Sequence, residues 1–236
     1  MLNLATSPII EGETVSVAND EVSIRRCEWL LKQRGYRYWR EDDIGQVLPL
    51  KQSRPDFLVE TPSGVRFFLE AKSFEKETIL HKIKARVFSL GHMALQKRVQ
   101  RLVKDAAEQI QEYASYGLPM VVALDNYRQV GVHLDDHSLG SLFGELEVVH
   151  TPDTMTGRAV DTRWERKDDN SPLYGGRNAH ISTVVGIISG ERFDTFEKAD
   201  DFTVERPMKV RIIRSPFATV PLPPELFSDA SDEEIK

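Results

Sequence analysis

The sequence predicts an α/β domain, a mixed β-sheet with helices packed against it. Three observations carry that prediction. Two stretches, at about 19–34 and 94–116, repeat apolar residues at helical spacing. Between and after them lie short runs rich in Val, Ile, Leu and Phe, bounded by Gly, Pro and polar clusters. In chain order these read helix, strand, strand, strand, helix, strand, strand.

Residues 1–18 keep no steady period and are expected to form an N-terminal arm. Asn19 is placed to cap the first helix, whose apolar stripe is Ile24, Cys27, Leu30 and Leu31, and Gly35 stops it. A strand follows at about Tyr36 to Arg40, then a loop, then a hairpin within RPDFLVETPSGVRFFLEAK, residues 54–72. The second helix carries Leu95, Val99, Leu102, Val103, Ala106, Ala107 and Ile110 on one side, and Gly117 and Pro119 end it. MVVALDNY and RQVGVHL read as consecutive strands. The core is expected to close near residue 150. Residues 151–180 are polar and aperiodic and read as a long loop or insertion. ISTVVGIIS and KVRIIRS add two strands within 181–227, and 228–236 reads as an acidic tail.

Composition narrows the class. The 236 residues are 40% hydrophobic and 29% charged, ordinary for a globular chain. No apolar run approaches a bilayer span, so no membrane partner is expected. Cys27 is the single cysteine, which excludes an intrachain disulfide and a thiolate zinc cluster. These features together suggest a cytoplasmic protein. The net charge of −6 is unevenly distributed. From Thr78 to Lys104 there is no acidic residue, while Lys82, Lys84, Arg86, Lys97, Arg98, Arg101 and Lys104 are basic.

The hairpin holds the chemistry. Pro62 suits the first central position of a type I turn and Gly64 the left-handed position after it. This three-residue loop makes Thr61 and Val65 partners, and pairing outward brings Asp56 opposite Glu70. Opposed residues share a face, their Cβ atoms about 4.5–5.5 Å apart. Lys72, two residues beyond Glu70, shares it too. Two carboxylates among Phe57, Leu58 and Phe68 repel and resist ionisation. A hard divalent cation resolves the conflict, with Asp56, Glu70 and the Ala71 carbonyl as ligands. Lys72 is then placed to orient or deprotonate water, or to stabilise phosphate charge. The alternative is a cross-strand ion pair in which Lys72 neutralises Glu70.

Pro55-Asp56 and Glu70-Ala71-Lys72, thirteen residues between the carboxylates, resemble the PD-(D/E)xK nuclease superfamily. NDEVSIRRCEWLLKQRGY is similar to the opening of the nuclease domain of type I restriction motor subunits. The resemblance covers about residues 19–133. It implies a restriction-endonuclease-like layered core with a central mixed sheet flanked by helices, to which this chain adds C-terminal strands. It implies a first-helix glutamate at Glu21, with Glu28 in reserve, and a glutamine and tyrosine on the second helix at Gln109 and Tyr113. Glu21 four before Arg25, and Glu28 four before Lys32, also read as ordinary helical ion pairs.

On the second helix Lys97, Arg101 and Lys104 share a face opposite the apolar stripe, with Arg98 flanking it. With Lys82, Lys84 and Arg86 upstream they form a candidate phosphate-contacting surface, giving affinity without base readout. His133 and His137 read as solvated, Gly175-Gly176 is too little for a phosphate loop, and no Walker A pattern is present. The expected function is a Mg²⁺-dependent endonuclease, with Mn²⁺ able to substitute, acting on nucleic acid, DNA favoured. Cutting both strands would favour a homodimer. An inactive nucleic-acid-binding module of the same fold is the first rival. The second is an interaction protein that meets its partner through the 151–180 loop or the acidic tail.

Overall fold

The computed structural model describes residues 17–74, 88–125, 134, 136–152, 159–167, 171–188, 209–227 and 233–235. Most of the expected N-terminal arm, the RQVGVHL strand apart from Leu134, and Lys82, Lys84, Arg86 and His133 lie outside them. The fold is α/β, built on a mixed open sheet of seven strands in the order β1-β2-β3-β4-β7-β8-β9.

Helix α1, Val17–Gln33, precedes β1, Arg37–Arg40. It ends in a Schellman motif: Tyr36 N–H donates to Leu31 O at 2.9 Å and Gly35 N–H to Lys32 O at 3.0 Å. Gly35 takes φ +68°, which a side chain would resist. Strands β2, Phe57–Glu60, and β3, Arg66–Ser73, form the expected hairpin. Their register pairs Phe57 with Leu69 and Glu60 with Arg66. At the reversal Gly64 N–H donates to Thr61 O and Thr61 N–H to Val65 O, both at 2.9 Å, with Gly64 at φ +83°.

Helix α2, Phe88–Ile110, starts before the expected Ala94, and a 3₁₀ segment, Gln111–Tyr116, carries it on to Gly117. Strand β4, Met120–Asp125, runs parallel to β3 and is buried along its whole length, as a central parallel strand must be. Strand β7, Ile181–Ile188, is parallel to β4, and β8, Lys209–Arg214, is antiparallel to β7.

Helices cover both sheet faces. On one face Val99, Val103, Ala106, Ala107 and Ile110 of α2 pack with Leu58, Phe68 and Val122 of the sheet. On the other Cys27, Leu30 and Leu31 of α1 pack with Phe57, Phe67, Leu69, Val121 and Ala123. Both predicted stripes therefore face the sheet, with Ile24, Leu95 and Leu102 packed at their margins.

Two expectations are corrected. Residues 151–180 are not one irregular loop. After a short helix α3, Asp136–Gly140, strand β5, Glu145–Pro152, pairs antiparallel with β6, Ala159–Lys167, in a separate two-stranded ribbon. Both strands are so polar in sequence that charge masks their alternation. The end of the chain is not wholly tail either. Glu233–Ile235 forms β9, parallel to β8, where Arg214 Nε lies 3.4 Å from Glu234.

The turn that sets the hairpin register rests on Gly64, whose missing Cβ would touch nothing within 4 Å. Gly64→Ala should therefore cost only backbone strain, about 1–2 kcal/mol. Urea unfolding checks this, and an unchanged midpoint would show the turn tolerates a side chain.

Candidate active site

Continuing the hairpin register one step past Phe57–Leu69 sets Asp56 opposite Glu70. The side chains reinforce the step. Asp56 N–H donates to Glu70 Oε2 at 3.3 Å, and Ala71 N–H donates to Asp56 Oδ2 at 2.7 Å. Lys72 Nζ donates to Glu70 Oε1 and to Gln109 Oε1, each at 2.7 Å. Gln109 Nε2 reaches back to the Arg54 carbonyl at 3.4 Å. Asp56, Glu70, Lys72 and Gln109 thus form one hydrogen-bonded group on the α2 face.

Pro55 shapes this group through the donor it lacks. In the antiparallel ladder Thr61–Val65 is a hydrogen-bonded pair, and such pairs recur at every second position. Position 55 would be the partner of Ala71. Proline has no N–H, so it cannot donate to the Ala71 carbonyl. The Ala71 carbonyl therefore has no ladder donor at position 55. Separately, the Ala71 N–H donates to the Asp56 carboxylate at 2.7 Å.

Glu70 is buried. Burial first, and then the negative charge of Asp56, push its carboxyl from 4.5 up to about 8, against the opposing pull of Lys72. One ammonium does not offset two carboxylates in this setting. The donor set fits a hard divalent cation: Asp56 and Glu70 carboxylates with the Ala71 carbonyl, all oxygen. Among the described residues no group of three or more His, Cys, Asp or Glu could hold a metal. A cation here would rest on two carboxylates and backbone, leaving positions for water and phosphate as magnesium usually does.

The first-helix glutamates sit differently. Helix α1 covers the opposite sheet face, and Glu21 is 45% exposed, bonded to Arg25 at 3.2 Å and Arg40 at 3.4 Å. Glu28, 17% exposed, lies 3.4 Å from Arg40, which replaces the expected Lys32 partner. Arg40 is the register partner of Phe57, next to Asp56, so both glutamates gather at the same end of the sheet. Burial raises the Cys27 thiol well above its usual range, with the charges of Asp125 and Asp56 adding to the shift and Glu28 a smaller contributor.

Tyr113 is fully buried, edge-on to Phe68 at 5.0 Å between centroids, and its hydroxyl accepts Lys51 N–H at 3.2 Å. It supports the group from behind. On the basic face, Lys97 is exposed, but Arg101 lies 3.7 Å from Asp105 and Lys104 3.9 Å from Glu108. The guanidinium of Arg98 covers the Phe74 ring at 5.5 Å. The helix is therefore less cationic than its basic residues alone suggest, because its carboxylates follow one turn on. The sequence reading did not include Arg26 and Asp125, a buried ion pair at 2.7 Å joining α1 to the end of β4. Arg26 lies outside the apolar stripe and Asp125 ends a hydrophobic run, which leaves little to link them in advance.

No model of a known protein family, no curated protein and no solved structure matches the chain.

Because the native state holds the Glu70 proton more tightly than the unfolded chain does, stability from this group is full below about pH 4.5. It is lost as pH rises through about 8. In chelator, the urea midpoint should fall across that window, and Glu70→Gln should flatten the fall. Equal slopes in the two proteins would refute the shift.

Proposed function

We propose that this chain is a metal-dependent nuclease of the PD-(D/E)xK type, hydrolysing phosphodiester bonds, with DNA the favoured substrate. One observation carries the reading: a buried Glu70 carboxylate is joined in one hydrogen-bonded group with Asp56 and the Lys72 ammonium at the open end of a hairpin. The order α1, β1, β2, β3, α2, β4, with β1 to β4 adjacent in the sheet, supports the restriction-endonuclease-like form of the α/β fold.

The chemistry follows from the residues. Asp56, Glu70 and the Ala71 carbonyl would hold Mg²⁺, or Mn²⁺ in its place, which when bound supplies charge for the phosphoryl oxygens and acidifies water. Lys72 donates to the oxygen in front of it, water or phosphoryl, and so directs attack in line with the leaving group. Gln109 Oε1 fixes the direction of that ammonium, and Gln109 is itself tied to the Arg54 carbonyl. Phe68 and Tyr113 keep water from the rear of the group. Glu28 and Glu21 are both held by Arg40, at the same end of the sheet as Asp56 but from the opposite face.

Asp56→Asn and Lys72→Met preserve shape and should each lower Mg²⁺-dependent cleavage by about 10²–10⁴-fold with the circular dichroism of the parent. Cleavage at the parental rate by both variants would refute the assignment. Retention of nucleic acid by the parent without cleavage in Mg²⁺ or Mn²⁺ would instead identify a binding module.

A further inference from the structure

The last turn of α2 and its 3₁₀ continuation grip the chain that leads into Asp56. Gln109, Glu112, Tyr113 and Tyr116 recur at helical spacing on one side. Each takes a different backbone group of residues 49–54. Gln109 Nε2 donates to Arg54 O at 3.4 Å; Glu112 Oε2 accepts Gln52 N–H and Tyr113 Oη accepts Lys51 N–H, each at 3.2 Å; Tyr116 Oη donates to Pro49 O. A segment with no helix or strand of its own is thereby held along its length, and its side chains are left to face outward.

The outward cations are Lys51 and Arg54. Lys51 is exposed, its ammonium 5.5 Å from the Tyr116 ring centroid, and among the described residues it has no carboxylate partner. The Arg54 guanidinium lies 3.7 Å from Asp42, whose carboxylate is 96% exposed. A pair so open to solvent contributes little, and a phosphate can replace it. By contrast Arg101 and Lys104 carry their carboxylates on their own helix one turn away, so any backbone approaching them meets Asp105 and Glu108 as well.

We propose that residues 49–54 form a rigid lip that binds the nucleic-acid backbone, Lys51 and Arg54 each contacting a phosphate beside the one placed at Asp56 and Glu70. This rests on the nuclease reading and adds the direction in which the strand leaves the site. Arg54 is two residues from Asp56, so a phosphate on its guanidinium is a neighbour of the reacting one. The clamp removes the motion that a loop cation otherwise loses on binding, which favours affinity through preorganisation.

The test measures binding apart from cleavage. Asp56→Asn protein, with and without Lys51→Ala/Arg54→Ala, is titrated with a labelled DNA duplex and with its single strand from about 50 to about 200 mM salt. The expected result is weaker binding and a slope of log K against log salt smaller by about 1 for each lost contact. Lys51→Arg/Arg54→Lys should restore the parental slope. An unchanged slope in the alanine variant overturns the lip and leaves the nuclease reading standing. No binding of either probe by the parent overturns both, whereas binding with cleavage surviving in Asp56→Asn overturns only the assigned chemistry.

Discussion

A carboxylate in an apolar sheet is the constraint around which the rest is arranged. Glu70 lies in β3 two residues from Phe68 and in register with Val122 of β4, both in the core, where an ionised group is costly unless hydrogen-bonded and paired. Its two oxygens are both engaged, one by Lys72 and one by the Asp56 N–H. Those partners exist only because the Pro62-Ser63-Gly64 reversal sets the register. A slip of one residue would carry Asp56 to the α1 face and break both the Asp56–Glu70 and the Asp56–Ala71 bonds. Turn chemistry six to eight residues away in sequence from both Asp56 and Glu70 thus decides whether the group assembles.

The helices extend this logic across the sheet. Each sends a polar side chain from beside its apolar stripe to the carboxyl end of a parallel strand. Gln109 of α2 meets Lys72 near the end of β3, and Arg26 of α1 meets Asp125 at the end of β4. In register Lys72 faces Leu124 and Ser73 faces Asp125, so the two polar connections are adjacent on opposite faces. Open α/β sheets place ligand sites beyond the carboxyl ends of their strands, where side chains from several elements converge. Here convergence also ties both helices to the strand ends that carry the charged groups, which limits how far either can shift without disturbing them.

Much of this was legible in the sequence because it is local. The hairpin follows from Pro62 and Gly64, the end of α1 from Gly35, and the buried stripes from helical spacing; each needs only neighbouring residues. The union of Asp56, Glu70 and Lys72 is likewise a consequence of one turn and the two-residue period of a strand. What stayed hidden needed tertiary information. Arg40 gathers Glu21 and Glu28 only because β1 lies beside β2, and Lys32 is instead drawn over the Tyr38 ring at 5.9 Å. The β5–β6 ribbon is too polar for its period to stand out, and β9 borrows its hydrogen bonds from β8 rather than from any propensity of Glu233-Glu234.

The plain ion-pair alternative explains part of this geometry, and one point separates it from the proposed metal site. It accounts for Lys72 beside Glu70, and Asp56 is given a structural task in capping the Ala71 N–H. It does not account for the second carboxylate beside a buried first. Lys72 is the one ammonium hydrogen-bonded to the pair and is shared with a neutral amide, so ionising Glu70 beside Asp56 would leave the group of three with one more negative than positive charge. Glu70 stays raised to about 8 even with the ammonium at 2.7 Å. A group meant only to hold a hairpin together would be better served by an apolar pair of the same volume, since replacing buried ion pairs by packed hydrophobic residues is often neutral or stabilising. Without a cation the group avoids that surplus by holding the Glu70 proton; in the proposed reading a divalent cation would take the proton's place, and that exchange is where the two readings differ.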